Sequence, residues 1–308
     1  MIWAYLAHLS FNMWEEAEAP LPEGVTAGNL VRRKARPALS FDEGTWDALV
    51  SAFQENGINM VVLDLGNSVR YESHPEIAVH NAWSPARLRQ ELARLRALGI
   101  EPIPKLNFST THDEWLGPYA RCVSTDAYYA VCRDLIAEVS VLFDRPRFFH
   151  LGMDEETAGH QRHALYAVMR QFDLWWHDLY FLQEQVERAG VRAWVWSDYL
   201  WHHPDEYLRK MPTSVLQSNW YYGTKFRKTD TYVKAYLQLE ERGYDQIPTG
   251  STWSSDENFP NTVRYCARRI SRERLLGFLQ APWYPTRAEH RQVLLHAAEV
   301  TGAARRGM

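Results

Sequence analysis

The 308-residue sequence has few cysteines, no excess of one charge and no long apolar run. Its three cysteines, Cys122, Cys132 and Cys266, are too sparse for a disulfide framework, and no CxxC pair occurs. Cys122 and Cys132 could pair, but a reduced interior is the expectation. The 34 basic and 38 acidic residues are well mixed, for a net charge of −4, so no basic stripe offers a nucleic acid a footing. No apolar run reaches about 18 residues, so no membrane span is expected. The opening "MIWAYLAHLSFNMWEE" has neither the basic n-region nor the cleavage site of a signal peptide and reads as a strand. As written the chain is expected to be soluble and cytoplasmic, with an exported parent left open. A glycine-rich phosphate turn after the first strand is also missing, which argues against a doubly wound nucleotide-binding sheet. His160 with His163 and His202 with His203 do not make an HxH or another familiar metal spacing. No metal and no cofactor is expected.

What is present is a rhythm. Short β-rich runs lie at 2–11, 58–65, 101–108, 147–153, 191–198, 213–220, 244–251 and 274–283. Between them lie stretches with apolar spacing near 3.6. "SPARLRQELARLRALG" has Ser84 to cap it, Pro85 at its first turn and Gly99 to stop it. "STDAYYAVCRDLIAEVSVLF", "YAVMRQFDLWWHDLYFLQEQVERAG", "TDTYVKAYLQLEERG" and "TRAEHRQVLLHAAEVTG" read as further helices. "ENGINMVVLD", "RALGIEPIPK", "ERAGVRAWVW" and "EERGYDQIPTG" share one grammar: charged helix end, glycine, strand. Eight strands in strict alternation predict a (β/α)8 TIM barrel, a single domain over 1–308. The segment from about 14 to 41 is expected to be a loop on the catalytic face.

In this fold, function sits at the C-terminal ends of the strands. Asn12, Trp14, Glu15 and Glu16 follow strand one, and Asp64, Asn67 and Arg70 follow strand two. Lys105, Asn107 and His112 come from strand three, and His150, Asp154 and Glu155 from strand four. Strand five gives Trp196, Asp198 and Trp201, and strand six gives Asn219, Trp220, Tyr221 and Tyr222. Strands seven and eight give Trp253, Asp256, Trp283 and Tyr284. Thirteen tryptophans are many, and several collect at one end. Indole rings stack on the apolar faces of pyranoses while carboxylates and amides take the hydroxyls, so the expected partner is a carbohydrate. Trp3, Trp46, Trp175 and Trp176 are assigned to packing instead.

"RPRFFHLGMDEETAGH" places Asp154, Glu155 and Glu156 together after a short buried strand. One reading makes them the capped, dipole-favouring first turn of a helix. The other makes Asp154 and Glu155 a catalytic pair. Glycoside cleavage needs a proton donor for the leaving oxygen and a second group to stabilise charge at the anomeric carbon. In that reading burial and the neighbouring Asp raise Glu155 and keep it protonated.

"FFHLGMDEE" resembles the strand-four signature of glycoside hydrolase family 20, the β-N-acetylhexosaminidases, whose pattern is His, any residue, Gly, Gly, Asp, Glu. His150, Gly152, Asp154 and Glu155 match, and Met153 stands for the second glycine. "AWVWSDYLW" is similar to the family's fifth strand. The resemblance spans nearly the whole chain. It implies retaining, substrate-assisted hydrolysis of a β-linked 2-acetamido sugar. The substrate's acetamido oxygen would attack the anomeric carbon, Glu155 would protonate the leaving group and Asp154 would hold the acetamido N–H. It further implies that Trp196, Trp220 and Trp283 wall the acetamido methyl and that His150 partners the acids. With Asp198, Asn219, Tyr222 and Trp253 these complete the expected substrate-binding set. The chain departs from the family in lacking the strand-one arginine, the strand-eight glutamate and the preceding small α/β domain. Trp253 and Asp256 only approximate the family's Tyr and Asp after strand seven.

Three other readings stay open: a sugar-binding barrel without catalysis, a glycosidase of another specificity with Asp64, Asp198 or Asp256 as nucleophile, and a metal-dependent hydrolase. The sugar, the linkage, exo or endo action and the oligomeric state are not legible.

Overall fold

A computed structural model describes residues 1–14, 34–162 and 164–308. Eight strands alternate with helices: β1 Ile2–His8, α1 Glu43–Asn56, β2 Met60–Asp64, α2 Pro85–Ala97, β3 Glu101–Lys105, α3 Asp126–Leu142, β4 Phe148–His150 and α4 Asp173–Arg188. The second half continues with β5 Arg192–Trp196, α5 Tyr199–His202, α6 Pro204–Lys210, β6 Leu216–Ser218, α7 Thr231–Glu241, β7 Thr249–Gly250, α8 Asn258–Ala267, β8 Gly277–Gln280 and α9 Arg291–Arg306. All pairings are parallel, in the order β6-β5-β4-β3-β2-β1-β8-β7. The seam between β6 and β7 closes through Ile247 N to Gln217 O at 2.9 Å and Thr249 N to Asn219 O at 2.9 Å. The molecule is the predicted (β/α)8 barrel, and every strand lies inside its predicted run.

Local chemistry sets the elements. The Ser84 side chain accepts the Arg87 N–H, Pro85 opens α2, and the left-handed Gly99 lets the chain turn into β3. Asp42 and Thr125 cap α1 and α3 the same way. One predicted helix is too long. The apolar spacing from 166 predicts helix, but α4 begins only at Asp173. Arg170 turns inward to buried acids and Phe172 adopts a positive φ of 51°, so the chain there cannot follow the helical path. Cys122, Cys132 and Cys266 are free thiols. Among the described residues no helix is long and apolar enough to cross a membrane.

Alternation along the strands then positions the site. Ala4 and Leu6 of β1, Met60 and Val62 of β2, Ile103 of β3, Phe148 of β4 and Trp194 of β5 fill the barrel's interior. Tyr5, Val61 and Leu63 point out to the helices. One step of two residues further, the inward positions become His8, Asp64, Lys105, His150 and Trp196. The register sets His8 against Asp64, Asp64 against Lys105 and Lys105 against His150. A polar ring thus caps the apolar interior at its C-terminal end.

Candidate active site

The ring beneath the mouth is a buried ion cluster. Lys105 Nζ bonds Asp64 Oδ2, and His8 Nδ1 stands 3.4 Å from the same oxygen. Burial alone would raise Asp64, but Lys105 and His8 outweigh it and hold the carboxyl at about 2. Burial, with Lys105 beside it, pushes His150 well down, so that imidazole is neutral. His150 Nδ1 accepts the Gly152 N–H at 3.0 Å, and its ring lies 4.4 Å from Trp196.

Above this ring β4 runs out into a strained turn. Gly152, Met153 and Glu155 have positive φ of 72°, 72° and 57°. A Cβ on Gly152 would lie 2.0 Å from Asn107 Oδ1, so glycine is required there. Met153 occupies the left-handed region without a glycine's freedom, at the position where the resemblance expects glycine. Bonds from neighbouring strand ends hold the turn. Asn107 Nδ2 donates to Asp154 Oδ1 at 2.7 Å, Thr111 Oγ1 to the Glu155 carbonyl at 2.7 Å, and the Glu155 N–H to Asp198 Oδ2 at 2.8 Å. A non-glycine residue in this region costs about 1–2 kcal/mol, which these bonds offset.

Asp154 and Glu155 therefore stand together at the mouth, and neither is a helix cap: the next helix starts eighteen residues on. Glu156 parts from them and works structurally. Its carboxylate accepts the Arg170 and Thr110 N–H groups at 2.7 and 3.2 Å and faces the buried Arg170 guanidinium at 3.4 Å. Arg170 also reaches Asp178 at 3.4 Å and the Phe108 carbonyl. This network pins the loop after β4 to the loop after β3.

Two histidines bracket Glu155. His112 Nε2 is 3.3 Å from Glu155 Oε2 and 3.4 Å from Asp154 Oδ2, and His160 Nε2 is 3.3 Å from Glu155 Oε1. Burial would push His112 down, but the Asp154 and Glu155 carboxylates lift it to about 9. Glu155, whose side chain is 26% exposed, corrects an expectation. Burial raises it, yet its contacts with His112 and His160 outweigh burial and hold it well below the usual range. The group pushed up is Asp198. Burial, then the Asp154 charge, takes it to about 8, and its Oδ1 has no hydrogen-bond partner. The signal available for His112 was its place in the polar run "NFSTTHDEW" after β3.

The aromatic residues divide. Trp283 Nε1 donates to the Tyr222 hydroxyl at 2.7 Å, and Tyr222 stacks on Trp220 with centroids 4.9 Å apart. Trp196 and Trp283 are 5.9 Å apart, and Trp253, 48% exposed, edges Tyr222 at 6.3 Å. Trp283 also neighbours His8 at 5.9 Å, and the rings continue through Phe11 and Trp14 to His112. This wall lies on the ends of strands one, five, six, seven and eight. Two of the expected substrate-binding residues lie behind the wall. His150 is fully enclosed below Trp196. Asn219 is buried with both amide atoms engaged: Oδ1 accepts Trp201 Nε1 and Nδ2 donates to the Tyr232 carbonyl, each at 2.8 Å. Both support the wall from behind. Asp256 faces outward to His296 on α9 at 2.9 Å. Asp64 is locked beneath the site, so neither is a candidate nucleophile. Glu15, Glu16 and His163 lie outside the described residues.

The class that the fold and the strand-end chemistry define is a parallel (β/α)8 barrel with acids and indoles at its C-terminal mouth. No protein-family model matches the chain, and no curated protein matches it by sequence. Solved structures do match. The barrel is similar to that of a family 20 exo-β-N-acetylglucosaminidase from Vibrio harveyi in complex with N-acetylglucosamine, with TM-score 0.64, 13% identity, and 98% of this chain and 54% of that one covered. It is similar to Streptomyces plicatus N-acetyl-β-hexosaminidase in complex with Thio-NAglucal, with TM-score 0.62, 12% identity, and 98% and 62% covered. It is also similar to dispersin B, with TM-score 0.52, 17% identity, and 89% and 95% covered. At these identities the shared property is the fold, and the chain spans about half the length of the Vibrio enzyme.

Proposed function

We propose that the protein is a glycosidase that hydrolyses β-linked 2-acetamido sugars, with Asp154 and Glu155 as its catalytic pair. The observation that carries this is the adjacent pair at the end of β4, Asp154 held through its side chain by Asn107 of the β3 end and Glu155 through its backbone by Asp198 of the β5 end, at the mouth that carries the indole wall. Structural similarity to enzymes crystallised with N-acetylglucosamine and Thio-NAglucal supports the same sugar class.

The roles follow from the surroundings. Asp154 is held by Asn107 on Oδ1, and Oδ2, which His112 faces at 3.4 Å, keeps a lone pair to take the acetamido N–H and turn the acetamido oxygen toward the anomeric carbon. Glu155, at the more open edge of the pair, donates a proton to the leaving oxygen. It then takes one from the water that opens the cyclised intermediate. The ligand-free carboxyl is held ionised by His112 and His160. Entry of the sugar desolvates it and separates it from half-exposed His160, both of which raise it toward a donor's range. Asp198 sets the Glu155 backbone and, protonated at neutral pH, adds no second negative charge beside Asp154. Trp196, Trp220, Tyr222 and Trp283 wall the acetamido methyl, and Trp253 lies where a longer chain would emerge.

A thiazoline mimic of the cyclised intermediate tests this route. It should inhibit far more tightly than the substrate binds, since transition-state-like ligands gain about 10²–10⁸-fold. A covalent glycosyl-enzyme trapped on Asp198, with no thiazoline inhibition, would replace substrate assistance with an enzymic nucleophile.

A further inference from the structure

We propose that His112, Asp154 and Glu155 form a binding site for a zinc-type transition-metal ion, which His160 would turn inward to close, and that the ion excludes the sugar. His112 Nε2, Asp154 Oδ2 and Glu155 Oε2 lie at 3.3 and 3.4 Å across the histidine contacts, and one ligand atom from each residue falls within 4.8 Å of the others. An imidazolium–carboxylate hydrogen bond is shorter, about 2.7–2.9 Å. Ligands on a tetrahedron with bonds of about 2.0–2.1 Å are separated by about 3.3–3.4 Å. The two histidine–carboxylate spacings match the edges of such a tetrahedron, and the two carboxylates need only close on each other to share an ion.

Outer partners orient two of the ligands, Asp154 and His160, while His112 Nδ1 is buried without a partner. Asn107 holds Asp154 by Oδ1 and leaves Oδ2 turned to His112. Thr157 Oγ1 meets His160 Nδ1 at 2.8 Å and so directs Nε2 to Glu155 Oε1, the oxygen away from His112, at 3.3 Å. Metal-binding histidines and carboxylates are oriented by such second contacts. His112 and Asp154 are buried, whereas Glu155 and His160 open to solvent, His160 with 47% of its side chain exposed. Three donors are thus prearranged, with an entry path on the fourth side. Two imidazoles with two carboxylates favour zinc, cobalt or copper over the hard cations magnesium and calcium.

An ion here would occupy the Asp154 oxygen meant for the acetamido N–H and the carboxylate that must carry the proton. Binding of metal and of sugar would be mutually exclusive. The metal site stands on geometry alone; inhibition as its consequence rests on the glycosidase reading.

Calorimetric titration of the chelator-treated chain with zinc chloride tests the site, with magnesium chloride as control. One zinc per chain and no magnesium uptake is the expected result. Cobalt(II) should give the intense visible absorption of a four-coordinate ion. H112N should abolish zinc uptake, and H160N, at an exposed position that does not threaten folding, should weaken it at least about tenfold. Against an aryl 2-acetamido glycoside, zinc should raise KM and leave kcat unchanged. No stoichiometric uptake, uptake unchanged in both variants, or equal binding of magnesium would overturn the site. Zinc that raised turnover would overturn exclusion and make the ion part of the chemistry. If no glycoside is turned over at all, the glycosidase reading fails while calorimetry still decides the metal.

Discussion

Replacing Asp64 by asparagine should unbalance the floor of the barrel's mouth. Asp64 is 2% exposed, and its Oδ2 takes both Lys105 Nζ and the His8 ring. D64N keeps the volume and leaves the fully buried Lys105 ammonium with no counter-charge. Breaking one side of a buried pair costs about 3–5 kcal/mol. In a domain of this size that lowers Tm on the order of 10 °C. D64N/K105M removes both charges and should recover most of the loss. The pair also sets an acid limb. The folded carboxyl sits at about 2, below its unfolded value of about 3.9. Its contribution is therefore complete above about pH 4 and is lost as pH falls toward 2. Two units correspond to roughly 2–3 kcal/mol. Urea unfolding from pH 7 to pH 2 should give a shallower acid limb for D64N/K105M than for the wild type. A D64N chain within about 1 kcal/mol of wild type at pH 7 would refute the reasoning, since Lys105 would then be shedding its charge or reaching water.

Three further outcomes are expected of the site. E155Q should lose about 10²–10⁴-fold in turnover of poor leaving groups and much less with activated aryl groups; equal loss on both would make Glu155 a binding residue. D154N should lose turnover while still binding N-acetylglucosamine in a fluorescence titration, because the indole wall remains; lost binding would reassign Asp154. G152A, whose Cβ would strike Asn107, should drive Asn107 off Asp154 and cut kcat by about 10²-fold with the chain still folded; wild-type kcat would show that the strained turn is not what positions the acids.

The barrel was legible because its signals are local. The helix–glycine–strand junctions and the Ser84-Pro85 start need only a few neighbouring residues; the junctions placed four strands, and short β-rich runs placed the other four. Helix α4 was overextended because apolar spacing continues through 166–172 while Arg170, drawn to Glu156 and Asp178, pulls the chain away. Asp154 and Glu155 were legible as a pair at a strand end. The protonation of Glu155 was not, because it depends on His112 arriving from the loop after β3 and on how the turn folds His160 back onto the carboxylate. Asn219 stands at a strand end, but its amide bonds Trp201 and the Tyr232 carbonyl behind the wall, contacts that no spacing reveals. Asp256 failed for a related reason: its partner His296 lies forty residues away on the last helix.

The most direct test of the central claim is hydrolysis of a panel of β-aryl glycosides that differ only at C2, with an acetamido group, a hydroxyl or an amine. Turnover of the 2-acetamido sugars alone, abolished by D154N/E155Q, is the expected result. Comparable turnover of the 2-hydroxy sugars, or turnover that survives in D154N/E155Q, would contradict it.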